Sequence, residues 1–140
     1  PGFNLKNLHH QEISLDAYRG KIVVLNFWAT FCRPCRVEMP SLEALAKKYQ
    51  GSDVAVLAIS LDEDKEDSIR KLATKMGLTF PIGLDGESAG DDYKVSVLPA
   101  TFIIGKNGEL LGRALGERDW ASDNSKQLID TLLDGDSEAP

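Results

Sequence analysis

At 140 residues and 42% apolar content, the chain is long enough for one domain to bury roughly 68–70% of its unfolded surface around its own core. A formal net charge of −6 with no block of five like charges argues against nucleic acid or an anionic membrane surface as partner, and two cysteines are too few for a disulfide scaffold. No stretch reaches the roughly 18 apolar residues that cross a bilayer. No signal peptide is visible, and the chain opens on Pro1 rather than Met, which leaves room for a leader or anchor upstream.

Phe3 to Leu8 and Glu12 to Leu15 alternate apolar and polar residues around His9-His10-Gln11, which predicts an N-terminal hairpin within residues 2–16. Asp16 to Gly20 reads as a turn. Ile22 to Trp28 is β-branched, aromatic and nearly continuous, the pattern of a central strand covered on both faces. From Cys35 to Tyr49 the period becomes helical, with Leu42, Leu45, Ala46 and Tyr49 on one stripe. Pro40 removes a backbone donor inside that helix and is expected to kink it. Val54 to Ile59 is a second buried strand. Ile69, Leu72, Ala73 and Met76 place a helix near 64–76 that ends at Gly77. The acidic run from Asp62 to Asp67 reads as its solvated start.

Phe80 to Leu84 is a short strand that Pro81 demotes toward an edge, and residues 87–94 suit a brief helix. Thr101–Ile104 and Leu110–Ala114 flank Asn107-Gly108, a strong hairpin signal. A last helix near 119–133 is expected to bury Leu128, Ile129, Leu132 and Leu133. A polar tail follows, flexible over residues 135–140. Strands alternating with helices and closed by a hairpin give an α/β fold with a mixed sheet.

The chemistry concentrates in Trp28-Ala29-Thr30-Phe31-Cys32-Arg33-Pro34-Cys35-Arg36, where a strand gives way to a helix. A thiolate is the reactive form of cysteine. Cys32 falls at the helix N-terminus, where backbone N–H groups lack intrahelical partners and the dipole is positive. Arg33 and Arg36 add cations. In such motifs the thiol pKa falls from about 8.5 to about 7 or lower, roughly 2 kcal/mol in favour of the anion. Cys35, one turn in, should be the less exposed, so Cys32 attacks and Cys35 resolves. Pro34 stiffens the loop at a position that needs no N–H. Two inert buried thiols would need no helix terminus. A zinc site would need two more ligands, and the adjacent His9 and His10 lack ligand spacing and read as a solvated turn.

The run Phe27 to Cys35 with Pro40 five residues on, together with Leu98-Pro99-Ala100-Thr101 ahead of an apolar strand, resembles the two signature segments of the thioredoxin family. The order of elements extends the likeness over essentially the whole chain. The resemblance implies a thioredoxin-like fold: a central mixed β-sheet flanked by helices, with an N-terminal β-hairpin extension and a central helix-plus-strand insertion near 64–84, in a single domain over 1–140. It also implies a cis bond at Leu98–Pro99, a loop packed against Cys32 that holds a substrate segment.

The hairpin, the insertion, Cys-Arg-Pro-Cys-Arg-Val-Glu-Met-Pro and Gly116 to Trp120 resemble the TlpA/ResA-like, extracytoplasmic branch. Thioredoxin itself carries an aspartate where this chain has Asn26, which does not titrate. By resemblance, Glu38 takes over the proton work at the buried cysteine, a contribution typically worth 10²- to 10⁴-fold; the bland alternative is a surface glutamate in an ordinary helix pair. Such a carboxyl should have its pKa raised by burial and by a neighbouring thiolate. The branch implies catalysis by Cys32, Cys35 and Glu38, and substrate contacts from Trp28, Arg33, Pro34, Leu98 and Pro99; for Trp28 the alternative is plain core burial. It implies no cofactor beyond the Cys32–Cys35 pair. It further implies protein disulfides as substrates (apocytochrome c among them), a membrane dithiol donor, and a monomer exported or anchored outside the cytoplasm. A peroxiredoxin-like peroxidase would carry a threonine or serine three residues before the reactive cysteine, where this chain has Ala29. A peptide-binding or chaperone module would use the Pro99 loop without the cysteines.

Overall fold

A computed structural model describes residues 2–138, with side chains placed through Asp134. A five-stranded mixed sheet runs in the order β5 (Ile82–Gly83), β4 (Val54–Ser60), β3 (Ile22–Trp28), β6 (Ala100–Ile104), β7 (Leu110–Leu115). Its centre is β3, all seven residues of which are buried. Such a strand can only be interior: β4 pairs with it in parallel, and β6 lies antiparallel on its other side. β5 forms one margin, where Pro81 costs no ladder bond. β7 forms the other. The turn from β6 to β7 contains Gly108 at φ +86, a conformation that glycine adopts at no steric cost. This is the thioredoxin-like fold.

Alternation along the strands sorts two cores. Ile22, Val24 and Trp28 of β3, with Val54, Val56 and Ala58 of β4, face helices α1 (Arg33–Lys48), α2 (Glu66–Met76) and α4 (Asp123–Glu138). Val23, Leu25 and Phe27, with Leu57 and Ile59, face α3 (Glu87–Asp92) and the N-terminal segment. There Phe27, Tyr93 and Phe102 pack as tilted and edge-to-face rings with centroids 5.0 to 5.7 Å apart.

The N-terminal hairpin is present as β1 (Asn4–Lys6) and β2 (Glu12–Ser14). It docks on the β5 margin through a bridge from Asn7 to Gly83 and a bond from the Leu84 amide to the Lys6 carbonyl (2.8 Å). A Cβ at Gly83 would lie 3.3 Å from Leu5 Cδ1, so the small residue permits that approach.

Several boundaries differ from expectation. The first helix starts at Arg33 rather than Cys35 and continues through Pro40, which sits on the exposed face. The last helix starts four residues late, because Asp119 to Ser122 are occupied in turns bonded to Ser41 and Ser125. It then runs through residues whose polarity suggested a tail, as far as Glu138; Ala139 and Pro140 lie outside the described residues. Of its expected apolar stripe Ile129 is fully buried, while Leu128, Leu132 and Leu133 are half-buried.

Candidate active site

β3 ends under α1, and the two cysteines sit at that junction. Cys32 is the N-cap residue of α1, with extended backbone (φ −89, ψ 104), and its Sγ accepts the Cys35 amide at 3.3 Å. Cys32 and Cys35 are joined by a disulfide. Pro34 occupies the first turn, where no amide is missed. Cys32 keeps a sliver of exposure (8%) and Cys35 has none, so an incoming sulfur can reach only Cys32. Arg33 and Pro34 are exposed beside it, and Phe31 is 79% exposed on the other side. The Arg36 side chain is committed to the Thr30 carbonyl.

Trp28 lies fully buried in the same core cluster as both cysteines, and its indole Nε1 finds no acceptor among the described residues. It belongs to the packed core that the pair also joins, and it has no exposed surface for a substrate. The Leu98–Pro99 bond is cis. The antiparallel register sets Ala100 against Phe27, which brings Pro99 to the end of β3 from which the cysteine loop departs. Pro99 is buried, Leu98 half-buried, and the Pro99 carbonyl accepts the Gly116 amide at 2.8 Å.

Glu38 follows Cys35 by three residues, on the same face of α1, and is 2% exposed. It is no surface glutamate. Its Oε1 accepts Asn26 Nδ2 at 2.8 Å, and its Oε2 accepts the Arg118 amide at 3.0 Å and Trp120 Nε1 at 3.1 Å. Asn26 Nδ2 also donates to Thr101 Oγ1 at 2.9 Å, across the β3–β6 pair. Burial pushes the Glu38 pKa up to about 7, outweighing the three donors that pull it down, with Glu117 adding a small upward push. Asn26 was legible as the one polar residue in an otherwise apolar strand. Nothing in the sequence pattern linked Arg118, Trp120 or Thr101 to Glu38.

Asp62 corrects an expectation. Read as part of a solvated helix start, it is instead buried at the exit of β4 and bonded to Thr30 and Ser60. His9 and His10 are exposed, as a turn requires, and His10 Nε2 meets Glu66 Oε2 at 2.6 Å.

Residues 1–112 match the AhpC/TSA family. The chain belongs to that family. Over 111 residues it is 45% identical to thiol-disulfide oxidoreductase ResA of Geobacillus kaustophilus, a match covering 79% of the chain and 63% of that relative. Over 110 residues it is 43% identical to the thioredoxin-like protein YneN of Bacillus subtilis, covering 77% and 64%. The chain thus spans less than two-thirds of the length of either relative. Among solved structures, a Chlorobium tepidum protein assigned as thiol:disulfide interchange protein DsbE superposes with a TM-score of 0.85 at 28% identity, over 95% of this chain and 94% of that one.

Proposed function

We propose that this member of the AhpC/TSA family is a thiol–disulfide oxidoreductase that reduces protein disulfides outside the cytoplasm. The observation that carries the reading is the asymmetric Cys32–Cys35 pair at a helix N-terminus: the outer sulfur is reachable and receives a backbone N–H, and the inner one is sealed. The ResA and DsbE relatives support it through the activities their names state.

In the reduced enzyme the Cys32 thiolate attacks one sulfur of a target disulfide. A Cys32–target bond forms, and the other target sulfur leaves as a thiolate. Cys35 then attacks Cys32 Sγ, the target leaves as a dithiol, and the two electrons it gained leave Cys32–Cys35 oxidised. Cys35 must lose its proton to attack, inside a dry core that opposes a bare thiolate. Glu38, on the same face one turn on, is the acceptor; a carboxyl with pKa about 7 can take that proton and return it near neutral pH. Leu98, with Arg33 and Pro34, offers the surface on which the target segment lies, and the buried cis Pro99 sets the course of the loop that presents it. Trp28 packs the core that the pair joins. No further cofactor is needed, because the disulfide itself stores the electron pair. A dithiol donor in the membrane would recharge it. Apocytochrome c is a fitting target, since its cysteines must be reduced before haem is attached, and a monomer suffices for all of these steps.

A peroxidase would call for a hydroxyl three residues before Cys32. Ala29 has none, and its carbonyl accepts the Cys32 amide (3.1 Å). The deciding experiment uses a Cys35→Ser chain, reduced and mixed with a disulfide-bonded protein. Cys32 should accumulate in a mixed disulfide visible by non-reducing electrophoresis and mass spectrometry. No trapped species across a range of redox buffers would refute the scheme.

A further inference from the structure

The loop that carries Cys32 out of β3 is gripped by a carboxylate from another strand. Asp62 lies two residues past the end of β4 and is 8% exposed. Its Oδ2 accepts the Thr30 amide at 2.8 Å and the Ser60 hydroxyl at 2.7 Å, and its Oδ1 accepts the Thr30 hydroxyl at 2.8 Å. From the other side, Arg36 Nη1 donates to the Thr30 carbonyl. The amide, hydroxyl and carbonyl of Thr30 are therefore all engaged, two residues before the attacking sulfur. Bonds to an ionised acceptor are roughly twice as strong as neutral ones, and a helix cap works only while its residue holds the extended backbone that aims the side chain at the first-turn amides.

We propose that Asp62 is a positioning residue for Cys32: by fixing Thr30 it holds the strand-to-helix loop in the conformation that keeps Cys32 Sγ within hydrogen-bond reach of the Cys35 amide. The inference rests on the reading of Cys32 as the attacking thiol. The molecule supplies its own control. Glu43, also buried, makes the same grip on Thr79, accepting its amide at 2.8 Å and its hydroxyl at 2.6 Å, far along α1 from the cysteines. Losing either grip should cost stability, but only the first should touch the sulfur.

Charge needs separating from position. Charged side chains that follow Cys32 on α1 are Arg33, Arg36 and Glu38; Asp62 grips the loop from the β4 exit, and Glu117 acts on Glu38 from the segment before α4. Neutralising Asp62 alone would favour a nearby thiolate and lower its titration midpoint. Loosening the cap would withdraw an N–H from the thiolate and raise the midpoint. The two effects have opposite signs, and Thr30→Val loosens the cap with every charge in place.

The test is the pH profile of Cys32 alkylation by iodoacetamide in the fully reduced chain, with Cys32 and Cys35 resolved by mass spectrometry, for Thr30→Val, Asp62→Asn and Glu43→Gln. Thermal unfolding is recorded in parallel. Thr30→Val and Asp62→Asn should each move the midpoint upward by at least about half a pH unit, a slowing of about threefold or more below it. Glu43→Gln should lower Tm comparably and leave the profile unmoved. An unmoved profile in Thr30→Val, a downward shift in Asp62→Asn, or an equal shift in Glu43→Gln would each overturn the proposal. If Asp62→Asn does not fold, Thr30→Val decides. Alkylation needs no disulfide substrate, so the grip is read even if the chain proves to reduce none.

Discussion

At the scale of single residues, Glu38 is held in tension between burial and hydrogen bonds. Taking a carboxylate out of water favours its neutral form, while three donors favour the anion. Burial prevails, which leaves the group near pKa 7. The side chains that tune it lie in separate parts of the chain: Asn26 on β3 and Trp120 just before α4. Trp120 is itself fixed by the Arg118 guanidinium stacked 5.0 Å from its ring and by its amide bond to Ser41 Oγ. Trp120→Phe keeps most of the ring and deletes the Nε1–H aimed at Oε2. With one fewer donor the anion loses support, so the Glu38 midpoint should climb above about 7. Carbon NMR of the labelled glutamate carboxyls would follow it directly. A midpoint that stays put or falls would mean that the indole does not set the charge state of Glu38.

At the scale of elements, α1 does two jobs with two parts of its sequence. Its first turns present the cysteines and Glu38, and its later turns anchor it through Met39, Leu42 and Leu45, all fully buried. Leu42→Ala removes a side chain from the centre of that stripe and should cost about 2–5 kcal/mol by urea denaturation. Because the cap geometry is set from the other end, by Thr30 and Asp62, the pH profile of Cys32 alkylation should hardly change; a large shift would show that the cysteines depend on the whole length of α1. This division explains what could be read in advance. Periodicity records which face of an element is covered, so the stripe on α1, the central placement of β3 and the marginal placement of β5 were legible. Buried polar partners leave no such record. Asp62 sits in an acidic run and Glu43 beside the apolar stripe of α1, where neither advertises a partner, and their donors Thr30 and Thr79 lie 32 and 36 residues away. The start of α4 was missed for a related reason: Asp119, Ser122 and Ser125 bond among themselves and with the segment before the helix, and hold Asp119 to Ser122 in turns. Asn26 is the exception, since a lone amide in an apolar strand must find a partner.

At the scale of the whole molecule, the site should be visible in the pH dependence of folding. Glu38 has a folded pKa of about 7 against 4.5 for the exposed group. The folded chain therefore holds this proton more tightly than the unfolded chain. Its contribution is fully present below about pH 4.5, shrinks as pH rises, and is lost once pH passes through the folded value. The difference amounts to as much as about 3 kcal/mol. Other groups titrate in the same window, so the quantity to measure is the stability of the wild-type chain minus that of Glu38→Gln, both oxidised so that no thiol titrates. The substituted side chain carries no charge to desolvate, although its amide nitrogen must face one of three donors, a fixed penalty independent of pH. The difference should therefore fall by up to about 3 kcal/mol as pH rises from about 4.5 and level off above about 7, whatever its absolute size. A difference that stays flat across that window would mean that Glu38 titrates alike in the folded and unfolded chain, and the proton-accepting role would lose its physical basis. A protein that builds such a loss into the buried face of α1 keeps an unfavourable charge where a neutral side chain would be more stable. That cost falls one helical turn from Cys35, where a base working near neutral pH is what the proposed resolving step would require.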